Sequence, residues 1–499
     1  MRRLTAALGL LAIVAAAVGG AALAAQPARP AQTTRLFLPV VLRQSAQPGA
    51  ASFWGMNLYL TKRERRGAGD NLGALADLAR GAGVQWTREE LPWDLIEPRD
   101  DQFSTVYDEG LRLAADKGFG IIGMLLTTPA WARDRACASS FWCPPADVAE
   151  FAEFAGWMAE RYDGDDRADA PGSPRVAAWQ IWNEPNDTAL WPAVGGGEAG
   201  RRLRYGQLLV AAYGAIKAAD PTATVLIGGT YIYDGSCAGG VCDGFNFLNA
   251  EGGVFRQVPA ARRAFDVFAV HPYIPTDQPD APGIPRVITL EGRLRTARAW
   301  LNDPAVGRPD APIWVTELGW CTAPGACPGG AGVSEAQQAA YLARSLVIAQ
   351  HAGVAHLSWF QFEDAFDDPG RVWANAAIVR RLDGATYPVK PAYTAYRTMA
   401  AQLAGAAPAG TGPLHTHVYD AGNPLGGGGG VYDYRYTRGA AVIDVLWSPD
   451  RPGPARLPVA PGRSVVRVAL EGSVAPLTPV NGAVDIAIGG APILVIQSP

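Results

Sequence analysis

Residues 178–186 read Ala178-Trp179-Gln180-Ile181-Trp182-Asn183-Glu184-Pro185-Asn186. The first half is a short run of large side chains with no polar–apolar alternation. The second half turns abruptly polar. A strand with one wet face alternates, whereas a strand covered on both faces does not, and that is the condition of a parallel sheet. Seven other short runs share this texture: Phe53–Leu58, Val84–Arg88, Gly120–Leu126, Thr224–Gly228, Phe265–His271, Ile313–Glu317 and Ala355–Gln361. Between the runs, apolar residues recur at helical spacing. Leu72, Leu75, Ala76, Leu78 and Ala79 form one stripe, and Phe151, Phe154, Ala155 and Met158 another. Leu208, Leu209, Ala212 and Ile216 continue the series, as do Leu342, Leu346 and Ala349. Eight strand-then-helix units in succession predict an α/β fold, a (β/α)8 TIM barrel over residues 51–404. A doubly wound sheet is the rival. It opens on a glycine-rich phosphate turn, and no G-x-G-x-x-G follows an early strand here.

The flanks differ from this core. Residues 1–25 have the form of a cleaved signal peptide, with Arg2 and Arg3, an apolar stretch from Leu8 to Val18, and small residues at Ala22-Leu23-Ala24. The run is broken by Gly19-Gly20 and has little length to spare for a span of ~20 residues. Residues 26–50 are rich in Ala, Pro and Gln and read as a linker, with Leu36–Leu42 as a short strand within it. Beyond residue 405 glycine and proline rise, a Gly426–Gly430 run appears, and helical stripes end. Val431–Tyr436, Ala441–Trp447, Ser464–Leu470, Ala483–Ile488 and Pro492–Gln497 predict a small sandwich-like all-β domain over 405–499.

The 499 residues carry a formal net charge of -4, more negative still without the leader. Charge therefore gives no support to a nucleic-acid partner. The six cysteines fall as Cys137/Cys143, Cys237/Cys242 and Cys321/Cys327. Six cysteines allow about 15 pairings; closeness favours the three local bridges, each worth roughly 2–2.5 kcal/mol by loop entropy. Such bridges persist in oxidising surroundings, which agrees with export. No later stretch is long and apolar enough to cross a membrane, so no insertion of the mature chain is expected. Neither the CxxC-type spacing nor the nearby histidines of a zinc site are present, and no metal or cofactor is expected. Zinc-peptidase, α/β-hydrolase and P-loop signatures are missing.

Barrel sites lie at the C-terminal ends of the strands. There, the fourth run ends in Asn183-Glu184 and the seventh in Thr316-Glu317. Two carboxylates flanking one bond are the machinery of glycoside hydrolysis: one donates a proton to the leaving oxygen, the other attacks the anomeric carbon. The motif Trp-Asn-Glu-Pro at 182–185 and the strand-ending Glu317 resemble the acid/base and nucleophile of clan A retaining glycoside hydrolases. The resemblance spans residues 53–400. It implies that Arg88 holds the nucleophile, that Tyr273 of His271-Pro272-Tyr273 hydrogen-bonds it, and that Trp359 floors the sugar site. Trp93-Asp94-Leu95-Ile96-Glu97-Pro98 is also similar to this clan. Within it, "WQIWNEPN", "VHPY" and "WVTELGW" are most similar to family 39 and its bacterial exopolysaccharide-hydrolase relatives.

Chemistry supports each role. Asn183 can bond a sugar 2-OH, a contact that tightens in the transition state. Burial keeps Glu184 protonated, while Arg88 and Tyr273 favour ionised Glu317. The bland alternatives are an Arg88 pair with Glu89 or Glu90, a Trp359 in the barrel core, and a His271 that only supports its neighbours. Asn57, ending the first run, is a further pocket candidate. Glu363 and Asp364 read as loop charges, and His415 and His417 as chance neighbours rather than metal ligands. Trp131, Trp142, Trp191, Trp320, Tyr231 and Tyr233 are loop aromatics able to carry sugars. The cysteine pairs lie in the loops after strands three, five and seven, where they would stiffen a substrate groove. The chain is thus expected to be a secreted glycosidase on a poly- or oligosaccharide. A transglycosylase with the same residues and a barrel that only binds polysaccharide are the alternatives.

Overall fold

The computed structural model describes residues 52–61, 71–232, 243–274, 278–280, 289–323, 327, 332–364, 373–381, 386–417 and 430–499, with backbone alone at 237–238 and 241–242. The leader, the linker with its Leu36–Leu42 run, Tyr233 and the glycines 426–429 lie outside the described residues.

Eight strands close into a parallel barrel: β1 (Trp54–Met56), β2 (Trp86–Pro92), β3 (Gly120–Leu126), β4 (Ala178–Asn183), β5 (Thr224–Tyr231), β6 (Phe268–His271), β7 (Ile313–Val315) and β8 (Val354–Trp359). Closure comes from β1 on β8, where Trp54 faces Leu357 and Met56 faces Trp359. The β2–β3 ladder runs unbroken from Trp86 opposite Gly120 to Pro92 opposite Leu126. Gly120 is required there, because a Cβ would meet the Trp86 ring.

Helices cover the outside, and their ends follow from local chemistry. Val148–Arg161 begins at Asp147, whose carboxylate accepts from the Ala149 N–H, and ends with Arg161 in its last turn. Glu335–His351 opens with a capping box between Ser334 and Gln337. Gly197–Ala219 packs Leu208, Leu209, Ala212 and Ile216 inward. Its buried Arg201 donates to the carbonyls of Pro185 (2.8 Å) and Asn186 (3.3 Å). That helix therefore fixes the loop that follows Glu184. Among the described residues, no helix is long and apolar enough to cross a membrane.

The C-terminal part is all β. Ala407–Thr411 (β9), Tyr432–Arg438 (β10), Ala441–Trp447 (β11), Ser464–Ala469 (β13), Val474–Leu477 (β14) and Ile493–Ser498 (β16) form one antiparallel sheet in the order β9-β10-β11-β16-β13-β14. Gly453–Pro458 (β12) and Ala483–Ile488 (β15) pair separately. The period of two sorts the residues. Ile443, Val445, Trp447, Leu494 and Ile496 join the core shared with the barrel. Leu446, Ile493 and Val495 pack instead with Leu457, Val484, Ile486 and Ile488 of the separate pair. On the barrel-facing side, Tyr432 donates to the Asp280 carbonyl at 2.9 Å, and Trp447 donates to the Asp280 carboxylate. Arg344 closes the same carboxylate with an ion pair of 2.9 Å.

Candidate active site

Glu184 and Glu317 meet at the C-terminal mouth of the barrel. Each stands just past its strand, Glu184 directly after Asn183 and Glu317 shortly after Val315. Glu184 holds a left-handed backbone (φ 44°), as does Trp182 (φ 72°). Such conformations cost of order 1–3 kcal/mol and persist only where neighbours fix them. The neighbours are visible: Gln180 donates to the Trp182 carbonyl (2.8 Å), and the Trp182 indole donates to the Leu190 carbonyl (2.7 Å).

Glu317 is held from both sides. Arg88 Nη1 donates to its Oε1 at 2.7 Å, and the Tyr273 hydroxyl donates to Oε2 at 2.9 Å. Arg88 is fully buried. Its other N–H groups reach Asn57 Oδ1 (3.2 Å), Gln180 Oε1 (3.0 Å) and Asn183 Oδ1 (2.8 Å). Asn57 is oriented in turn by donating to the carbonyls of Thr316 and Trp359. Arg88 has no pair with Glu89, whose carboxylate is taken by Thr61 and Thr87.

His271 is the hinge between the two acids. Its Nδ1 lies 2.6 Å from Glu184 and 3.8 Å from Glu317, and its Nε2 lies 2.9 Å from the Thr316 hydroxyl. Gly229 on β5 makes room for the ring, since a Cβ there would collide with Nε2. The two carboxylates shift in opposite directions. Burial raises Glu184 above the ordinary range, against the hydrogen bond and charge of His271. Burial also acts to raise Glu317, but His271, Arg88 and the Tyr273 hydroxyl outweigh it and hold that group below the ordinary range. One ligand atom from each of Glu184, His271 and Glu317 lies within 4.8 Å of the others. That spacing would also suit a cation, but the Arg88 guanidinium already sits on Glu317.

Residues 97–361, more than half of the chain, match the family model described as "Cellulase (glycosyl hydrolase family 5)". The chain belongs to this family. Among curated proteins none matches the chain. Solved structures share its fold. A family 39 glycoside hydrolase from Bacteroides cellulosilyticus WH2 superposes with a TM-score of 0.66 at 19% identity, over 89% of this chain and 81% of that one. A monomeric beta-xylosidase from Caulobacter crescentus CB15 gives 0.56 at 14%, over 90% and 96%. A GH30 endoxylanase from Clostridium papyrosolvens C71 gives 0.54 at 13%, over 89% and 99%. The likeness read from the motifs thus holds for clan A glycoside hydrolases, enzymes that act on O-glycosidic bonds, while the matching family model is family 5.

Other expected positions in this family 5 hydrolase fall less simply. Trp359 is fully enclosed, stacked on Trp320 at 5.7 Å, and its indole N–H has no partner among the described residues. It offers no exposed face to a sugar, and the next residue, Phe360, is the half-buried one. Trp191 and Trp320 are likewise fully buried and are loop anchors rather than platforms. Trp131, Trp142 and Tyr231 are half-buried. Asp364 is an ion-pair partner of Lys390 at 2.7 Å rather than a solvated loop charge. His415 and His417 lie where the β domain meets the barrel, with His417 stacked on Tyr432 at 4.2 Å and 3.6 Å from Glu291. Cys137–Cys143 and Cys321–Cys327 are disulfides. Cys237 and Cys242 are register partners in a short antiparallel ladder, and their side chains lie outside the described residues. Gln180, which joins Arg88 to the Trp182 carbonyl, has no signal in the sequence beyond being an amide inside an apolar strand.

Proposed function

We propose that this chain is an exported retaining glycosidase acting on β-linked poly- or oligosaccharides, glucan- or xylan-like in backbone. Glu184 is the acid/base and Glu317 the nucleophile. The observation that carries the reading is the pairing itself: a half-buried Glu184 and a buried Glu317 with oxygens within 4.8 Å, pushed in opposite directions by their surroundings. Retaining enzymes hold their carboxyls about 5–5.5 Å apart, and inverting ones leave about 6.5–9.5 Å for a water. The substrate class is drawn from the matching cellulase family and from neighbours named as xylosidase and endoxylanase. Kinship with family 39 in particular is supported by the motif likeness around Glu184, His271 and Glu317. Export is supported by the leader-like residues 1–25 and by two disulfides in the described chain.

The steps follow from the charges. Glu317 is ionised and attacks C1 of the sugar. The glycosidic C–O bond breaks, and the leaving oxygen takes the proton of Glu184. A water then attacks C1, Glu184 accepts its proton, and the bond to Glu317 is released. His271 suits this alternation because it faces Glu184 in both states while remaining anchored on Thr316. Asn183, held by Arg88, is aligned for the sugar 2-OH.

The test is reducing-end release from a panel of β-linked polysaccharides and aryl glycosides, run beside Glu317→Ala. Activity that vanishes in the variant supports the reading. Activity that survives unchanged overturns the choice of nucleophile.

A further inference from the structure

The enclosure of Trp359 leaves the proposed site without its expected sugar platform, and the surroundings of Glu317 supply another. Tyr273, whose hydroxyl donates to Glu317, packs its ring 4.7 Å from the ring of Trp373. Tyr273 is itself buried, but Trp373 is only half-buried. The backbone of Trp373 is left-handed (φ 74°), a conformation that a bulky residue takes only where its surroundings fix it. Those surroundings form a small apolar cluster of their own. Trp373 and Phe360 pack on Cys321, Cys327 and Ala376, and the two cysteines are bonded. Thr322, next to Cys321, donates through both its N–H and its hydroxyl to the Asn375 carbonyl (3.1 and 2.9 Å). The loop after β7 thus carries the segment after β8 on its back.

We propose that Trp373 is the residue on which the sugar bound over Glu317 stacks, and that the Cys321–Cys327 disulfide holds it in position. This inference rests on the glycosidase reading above. β7 and β8 are neighbours on the barrel wall, separated from β4 and Glu184 by β5 and β6 on one side. The leaving group faces the acid, so the sugar that stays on the nucleophile faces the β7–β8 side. Pyranose rings with all hydroxyls equatorial present flat C–H faces to an indole. Gluco- and xylo-configured rings have that shape, whereas an axial hydroxyl spoils one face.

The experiment uses cellohexaose and xylohexaose as probes on the full chain, with Trp373→Ala, Trp373→Leu, Trp373→Phe, the double variant Cys321→Ser/Cys327→Ser, and Glu317→Ala. Leucine keeps apolar bulk beneath Tyr273 but has no flat face, so it separates stacking from packing. We expect Trp373→Ala and Trp373→Leu to raise KM about tenfold with kcat within roughly twofold, on the scale of one aromatic stacking contact. Trp373→Phe restores most of the loss, and the double cysteine variant shifts KM in the same direction by less. A normal KM in Trp373→Leu, or a Trp373→Phe no better than leucine, overturns this inference alone. Should Trp373→Ala not fold, Leu and Phe carry the comparison. Cleavage that persists in Glu317→Ala, or neither hexasaccharide being cleaved by the unsubstituted chain, overturns the reading on which it rests.

Discussion

Replacing Arg88 with methionine removes the positive charge from the site while keeping an apolar side chain of similar length. In the intact protein Arg88 is wholly enclosed and donates to Glu317 at 2.7 Å, Asn183 at 2.8 Å, Gln180 at 3.0 Å and Asn57 at 3.2 Å. Removing one partner of a buried ion pair typically costs about 3–5 kcal/mol. An adjacent opposite charge lowers a carboxyl by about 1–3 pKa units. At about 1.4 kcal/mol per unit, the titration accounts for much of that cost. The remainder is the desolvation of Asn57, Gln180 and Asn183 left without a donor. The two parts separate by pH. Glu317 is depressed in the folded state, so its contribution is present above the unfolded carboxyl value of about 4.3 and is lost as pH falls through the folded value. Urea unfolding from about pH 3 to about pH 8 should therefore show a gap between the two proteins that is widest near neutrality and narrows in acid. The acidic limb of kcat/KM should move up by about 1–3 units in the variant. A gap that stays constant with pH, together with an unmoved acidic limb, would refute the claim that Arg88 keeps Glu317 ionised.

Glu184→Gln should slow turnover of an unactivated glycoside by roughly 10²–10⁴, and an unchanged rate would remove Glu184 from proton transfer. His271→Asn takes away the group that works against burial at Glu184, so the basic limb of the pH profile should move to higher pH; a shift to lower pH would contradict this. Asp433, buried in the β domain and pushed up to about 7 by burial and by Asp444, binds its proton in the folded state more tightly than in the unfolded one. Stability therefore falls as pH rises from the unfolded carboxyl value toward about 7. Asp433→Asn should flatten that slope and stabilise the protein above it, measured by thermal melts; a melt unchanged at every pH would argue against it. Asp280→Ala leaves Arg344 buried without its partner and should cost about 3–5 kcal/mol in urea unfolding, with a loss under 1 kcal/mol showing the contact to be slack.

Much of the barrel was legible because its strands are covered on both faces. All eight runs appear as strands; Gly120–Leu126 and Ala178–Asn183 keep their bounds and the other six are displaced by a few residues at one or both ends. The seventh stops at Val315 rather than Glu317; the Thr316 N–H still bonds the Val270 carbonyl, while the side chains of Thr316 and Glu317 reach His271 and Arg88. In the β domain, Ala407–Thr411, Gly453–Pro458 and Val474–Leu477 gave no signal. They contain proline, are largely exposed, and lie at the sheet edge or in the separate pair, so no burial period marks them. The aromatic positions were harder for a different reason. Successive side chains on a strand face opposite ways, so one residue decides whether a ring is enclosed: Trp359 is, and Phe360 is half-buried. The same rule separates Arg88 from Glu89. Arg88 points into the barrel toward Glu317, and Glu89 points outward to Thr61 and Thr87. Gln180 was invisible because its importance lies in what it joins, Arg88 and the Trp182 carbonyl, which no pattern along the chain reveals.

The central claim is that Glu317 becomes covalently attached to the sugar. The direct measurement is mass spectrometry of the protein after incubation with a 2-deoxy-2-fluoro-β-cellobioside or -xylobioside carrying a dinitrophenolate leaving group, followed by peptide mapping. The account predicts one glycosyl group on the peptide containing Glu317, and none in Glu317→Ala. An adduct on another residue, or first-formed sugar of inverted configuration with no adduct, would contradict it.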